Sequence, residues 1–298
     1  MKKGTIIALI VAAVLLVTGG ILLILGLSYV ADAPKSNMAE KHVTIAEPFD
    51  SIVINTADCD VKFVPYNGDV DAEITILVPE AVTHTVVVEN GTLTVKTIDE
   101  RKWHDYIRAF QVYGTSEHMQ MTLRIPNIPY TTIRITTDTG DIQIPGVLQA
   151  EEMVLRSDTG DVFCEDVTAA ILDCMTTTGD ITIYGGNTVN TKLRTDTGEL
   201  DISSVVAEEL HLASNTGETN VENTTVQIFT SNGSTGDVEL ENVQAEEYLQ
   251  VFTSTGDIEI EKSDAPNVNI KTSTGDIEVP APWQFQRIET DTGNIRFK

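Results

Sequence analysis

Thr-Gly recurs nine times through the second half of this 298-residue chain, at Gly140, Gly160, Gly179, Gly198, Gly217, Gly236, Gly256, Gly275 and Gly293. An acid follows every copy but the last, and the steps are 20, 19, 19, 19, 19, 20, 19 and 18 residues. A period this regular describes one small structural unit stacked upon itself.

With each glycine as zero, apolar residues recur upstream at −7 and −5, as in Ile133 and Ile135, Met153 and Leu155, or Leu210 and Leu212, with Thr or Ser usual at −3. Downstream, +2 and +4 are apolar again (Ile142 and Ile144, Val162 and Cys164, Ile258 and Ile260), while +3 is mostly polar. Period-two alternation on both sides of the glycine makes each unit two short strands meeting at a corner. Glycine suits the corner because it adopts positive φ without a Cβ clash. The few residues left per period are too short for a helical crossover, which takes about 30 residues in a strand-helix-strand unit, and they show no helical period. The expected fold is therefore all-β, a parallel β-solenoid of about nine 19-residue coils over residues 131–298. A sandwich of short hairpins is the alternative; a propeller blade takes about 40 residues, and nine half-blades would leave one unpaired.

Net charge is −26, and residues 131–298 carry 30 acidic and 9 basic side chains of that total. Such a surface repels phosphate and anionic lipid, so nucleic acid is excluded as a partner and cationic groups are favoured. The three cysteines have no metal-ligand spacing: Cys164 and Cys174 fall on inward positions, as small buried hydrophobes or as a bonded pair, and Cys59 stands apart.

Ile6 to Val30 is an almost unbroken apolar run after Lys2 and Lys3, longer than the roughly 20 residues needed to cross a bilayer. It reads as a retained transmembrane signal anchor (residues 1–30) with a cytoplasmic N-terminus, cleavage after the small-residue pattern Ala31-Asp32-Ala33 being the alternative, so the membrane is one expected partner and the remainder is extracytoplasmic. A linker follows at 31–41, and residues 42–130 alternate in strand fashion as an irregular β-cap, with Asn67-Gly68 and Asn90-Gly91 expected as hairpin turns. Trp283 and Phe285 are expected to cover the opposite end.

Two sets of residues could carry chemistry. Asp141, Asp161, Asp180, Asp237, Asp257 and Asp276 recur at +1 in coils about 4.8 Å apart, so their charges repel unless screened, and calcium is the cofactor such an oxygen-rich column would take. The competing reading is turn chemistry, each carboxylate accepting nearby amides. The second set lies in the one segment that breaks alternation, where Arg101, Trp103, His104 and Asp105 suggest a ligand-binding insert or a lid. No nucleophile–base arrangement or phosphate loop is visible.

The segment Glu47 to Val61, Arg101-Lys102-Trp103 and the repeated Thr-x-Thr-Gly-Asp-Ile-x-Ile units resemble a bacterial family of putative adhesins, anchored domains of unknown function. The resemblance implies a surface protein of the bacterial membrane, some members being encoded near envelope-stress regulators, and supplies no catalytic residues. The expected function is that of a non-catalytic interaction protein, adhesin-like or an envelope-stress accessory, with an unknown envelope partner. A calcium-stabilised surface scaffold and a β-helix enzyme acting on polysaccharide are the alternatives.

Overall fold

The 19-residue period closes into one turn of a coil because each strand pairs in parallel with its equivalent one repeat later. The computed structural model describes residues 38–68, 71–79, 82–99 and 119–298, together with residue 19. Among these, twenty-three strands join in one continuous sheet. The first eleven are β1 (Met38–Ile45), β2 (Ser51–Thr56), β3 (Asp60–Tyr66), β4 (Ala72–Pro79), β5 (Val82–Glu89), β6 (Thr92–Asp99), β7 (Gln120–Pro126), β8 (Pro129–Thr139), β9 (Ile142–Ile144), β10 (Leu148–Thr159) and β11 (Val162–Thr178).

Strand β10 lies between β8 and β11, pairing Leu155 with Ile135 and Cys174, and β11 pairs Val162 with Ile142 and Ile181. Three bends bound each coil. The first is the Thr-Gly corner. The second, six residues on, holds left-handed residues at Asp166, Ser204, Asn223, Asn242 and Lys262, with φ between 49° and 60°. Most of these are Asp, Asn or Ser, which bond their own backbone locally and tolerate that conformation. At the third bend the ladder skips one residue per coil, at Glu151, Ala170, Val189 and Glu208. The solenoid expected from the repeat is the observed fold.

The core is the set of columns predicted at −7, −5, +2 and +4. Ile133, Ile135, Ile142, Ile144, Met153 and Leu155 are all fully buried, and full burial of such side chains stabilises by about 1.5–3 kcal/mol each. Cys164 and Cys174 face one another across this core as free thiols. A hydrogen bond between the two, together with burial, holds the Cys174 thiol well above its usual range. Trp283 is buried against the core in a short 3-10 turn, Ala281–Phe285; the side chain of Phe285 lies outside the described residues.

The N-terminal part is more regular than an irregular cap. Strands β2 and β3 stack in parallel on β8 and β9, matching Thr56 to Thr137 and Val61 to Ile142, so Thr56–Asp60 forms a further corner with Cys59 in the glycine place. Strands β6 and β7 add another layer in parallel on β2 and β3. Only β1, β4 and β5 run antiparallel and close the stack. Asn90-Gly91 turns a true hairpin between β5 and β6, both residues at positive φ. Asn67-Gly68 does not: β3 and β4 both pair with β7, which lies between them, because the parallel ladder from the coils continues onto β3. Strand β1 begins at Met38, within the stretch read as linker. The apolar run Ile6–Val30 lies outside the described residues except for Gly19, and among the described residues no helix is long and apolar enough to cross a membrane.

Candidate functional site

The acid column is built by the corner. Asp141 Oδ1 accepts the amide of Asp161 at 2.9 Å, Asp161 Oδ1 that of Asp180 at 2.8 Å, and Asp180 Oδ1 that of Glu199 at 2.7 Å. The pattern resumes from Asp237 to Asp257 and from Asp257 to Asp276, each at 2.7 Å, and ends with Asp276 accepting Asn294 at 2.8 Å. Each carboxylate thus caps the amide of the next coil, which offsets the repulsion between stacked charges. Where Glu199 and Glu218 take the aspartate place the ladder is interrupted: the longer Glu199 carboxylate accepts from the Asn220 side chain instead. Among the described residues no three or more His, Cys, Asp or Glu side chains are grouped closely enough to hold a metal ion. The six aspartates are therefore brought into one row but not into a converging shell.

Beside the acids, an inward hydroxyl at −3 donates to the glycine carbonyl of the preceding coil: Ser157 to Gly140 at 3.0 Å, Thr176 to Gly160 at 2.9 Å, Thr195 to Gly179 at 3.0 Å. This stitches successive corners where the backbones approach most closely. A Cβ built on Gly217 would overlap the Gly198 carbonyl oxygen and stand 2.6 Å from its carbon, with φ at +140°.

Outward acids crowd the second side of the C-terminal coils. Burial, and then the charges of Glu259, Glu218, Asp237 and Glu222, push the Glu239 carboxyl above its usual range. The Lys298 ammonium lies at 2.9 Å from Glu259 and at 3.1 Å from both Glu261 and Glu278, and Lys262 pairs with Glu241. Hydrogen bonding to those three glutamates raises the Lys298 ammonium pKa. This face therefore takes up cationic side chains in the protein itself.

One constellation was not visible in the linear sequence. On the long side, Thr230 Oγ1 is 2.7 Å from His211 Nδ1, and His211 Nε2 is 3.2 Å from Glu209 Oε2. Only the repeat register reveals it, since His211 and Thr230 are direct neighbours in adjacent coils. It has the order of nucleophile, base and acid, but it lies on an open sheet where the amides serve the ladder, so no pair of donors converges to hold an oxyanion. Two depressions of about 290 and 280 Å³ lie along the third bend, near Val206 and near Ala150. The candidate residues Arg101, Trp103, His104 and Asp105 lie outside the described residues.

An all-β parallel solenoid with a Thr-Gly corner and an amide-capping acid row defines a class of stacked-coil surface. The Toastrack DUF4097 family matches residues 49–231 and 194–298, and the chain belongs to that family. Among solved structures, one from Bacteroides fragilis described as a putative adhesin is similar over 89% of this chain and 99% of its own, with 15% identity and a TM-score of 0.49. Another, from Parabacteroides distasonis and described as a putative lipid binding protein, is similar over 89% and 98%, with 14% identity and a TM-score of 0.46. No curated protein matches the chain.

Proposed function

We propose that this chain is a membrane-anchored, extracytoplasmic interaction protein, adhesin-like or an accessory of the envelope-stress response, whose C-terminal acidic side docks a cationic partner in the cell envelope. The observation that carries the reading is Lys298, whose ammonium is shared among Glu259, Glu261 and Glu278 on a side where Glu239 is already crowded by like charge. Crowded carboxylates are relieved by an approaching cation, and such association is fast and salt-sensitive. The anchor rests on the apolar run Ile6–Val30 behind Lys2 and Lys3.

The test has two arms. Protease added to intact, wall-stripped cells should degrade the solenoid, and full protection would reverse the orientation. The purified chain should bind immobilised polylysine but not polyglutamate, with affinity falling steeply between 50 and 200 mM salt. A Glu239→Gln/Glu259→Gln/Glu278→Gln variant that binds polylysine as tightly as the parent would remove this side as the docking surface.

A further inference from the structure

The two columns of the Thr-Gly corner change character at their N-terminal end. Above Gly140 the glycine place is taken by Cys59, and Asp60 Oδ1 still accepts the Asp141 amide at 3.0 Å. The next layer pairs Asp60 with Gln120 and bonds the Asp60 amide to the Met119 carbonyl at 2.9 Å, which sets Met119 beside Cys59. The hydroxyl column runs from Thr137 to Thr56 and on to Thr97, whose hydroxyl donates to Thr56 at 3.0 Å. It ends at His84, paired with Thr97 across the β5–β6 hairpin. A thiol, a thioether and an imidazole thus arrive from two columns at one place.

All three line one narrow recess with Thr56, Val78 and Thr97, and no part of it is wide enough for a water molecule. Both ring nitrogens of His84 are buried there without a hydrogen-bond partner. Buried polar nitrogens are nearly always partnered by protein or water, and here water does not fit. A neutral imidazole nitrogen is the form that ligates a metal ion. A bare metal ion, bonded at about 2.0–2.3 Å, needs less room than water. The donor set selects its class: thiolate and thioether sulfur favour monovalent copper, and hard cations such as calcium or magnesium take oxygen.

We propose that Cys59, His84 and Met119 form a three-coordinate site for Cu(I). On binding, the sulfur–copper bond forms as the Cys59 thiol releases its proton to solvent, with no change of oxidation state. The thiolate cancels the charge of the ion, so the centre is neutral and suits a dry cavity. Ligation requires the thiolate, so copper must displace the thiol proton, and affinity should rise with pH.

The purified, reduced full chain should withdraw one equivalent of Cu(I) from bicinchoninate under anaerobic conditions, and X-ray absorption should show two sulfurs and one nitrogen on the ion. Cys59→Ser and His84→Gln should each weaken binding by more than the roughly 10–100-fold that loss of an outer-shell partner costs. Met119→Leu conserves volume, so it should fold normally and show a measurable loss of copper affinity. Cys164→Ser/Cys174→Ser should bind like the parent. Failure of the parent to bind one equivalent, retention of its affinity by Cys59→Ser or by a folded Met119→Leu variant, loss of copper in the Cys164→Ser/Cys174→Ser variant, or a preference for zinc over Cu(I) would overturn the proposal.

Discussion

Replacing Gly217 by alanine probes why every coil carries a glycine at its corner. The residue has φ of +140°, a region that side chains rarely enter, and its Cβ would overlap the Gly198 carbonyl. Backbone strain of that kind costs about 1–3 kcal/mol. Relieving the overlap requires the coils to separate, which stretches Gly198 N–H to Thr216 at 2.9 Å and the Ser214 hydroxyl to Gly198 at 3.2 Å. Two such hydrogen bonds are worth about 1–3 kcal/mol together. The sum, about 2–6 kcal/mol, corresponds to a fall in Tm of roughly 4–24 °C for a domain of this size. Gly233 is the internal control, since it lies in the hydroxyl column, has no positive φ, and a Cβ there would meet the Thr253 side chain at 3.3 and 3.6 Å and the Phe252 carbonyl oxygen at an ordinary 3.7 Å. Gly233→Ser should raise Tm by a few degrees, because it restricts the unfolded chain and offers the missing hydroxyl to the Gly217 carbonyl, worth about 0.5–2 kcal/mol. Thermal unfolding followed by far-ultraviolet circular dichroism measures both. A Gly217→Ala variant melting within a degree of the parent, or a Gly233→Ser variant as damaged as Gly217→Ala, would refute the argument that the corner selects for its missing Cβ.

Asp161→Ala should cost about 1 kcal/mol by removing the acceptor for the Asp180 amide, while Asp161→Asn keeps an oxygen there and should cost less. A calcium-selective rise in Tm lost in Asp161→Asn/Asp180→Asn would instead show that the row shares metal. Glu218→Asp should stabilise, because the shorter side chain restores a cap between interrupted coils. Two carboxyls on the C-terminal coils should respond to pH with opposite sign. Glu239 is raised, so its folded form binds protons more readily and stability is gained as pH falls through its folded value; Glu239→Gln should raise Tm at pH 7, with the gain fading below about pH 4. Asp276 is lowered, chiefly by the backbone amide of Asn294, so its contribution is present above about pH 4 and is lost as pH falls through its lower folded value; Asp276→Ala should destabilise at pH 7 and match the parent in strong acid. Cys164 and Cys174 should resist alkylation in the native protein and react only after unfolding.

The solenoid was legible because its demands repeat. Position +2 is apolar in every coil but that of Gly217, where Thr219 is buried, and Ile142, Val162, Ile181 and Leu200 all fill it, so a weak local signal becomes strong by recurrence. The aspartate ladder was half legible: the column could be counted, but whether its members face a shared ion or the next amide depends on side-chain direction. The second corner escaped notice because Gly146, Asp166, Ser204 and Lys262 share a backbone conformation and little side-chain chemistry. The Glu209, His211 and Thr230 arrangement required the 19-residue register, without which two of its members are far apart in the chain.

The N-terminal coils lie outside the sequence period for a physical reason. Thr56–Asp60 follows the corner pattern except that Asp58 and Cys59 replace the Thr-Gly pair, and the layer beyond it is drawn from β6 and β7, which are not consecutive coils of a repeat. Periodicity in sequence therefore stops where stacking in space continues. In a repeat protein each column states what folding requires of its residue, so a departure from the column is where other demands can be seen. Cys59 carries a Cβ at a place where the coils after it tolerate none, and His84 closes a column of hydroxyls with an imidazole that finds no partner. Cys59 is buried and its thiol donates to the Asp60 carbonyl at 3.6 Å, whereas the His84 ring completes no hydrogen bond. Their convergence on one cavity at the end of the stack distinguishes a built site from two isolated irregularities.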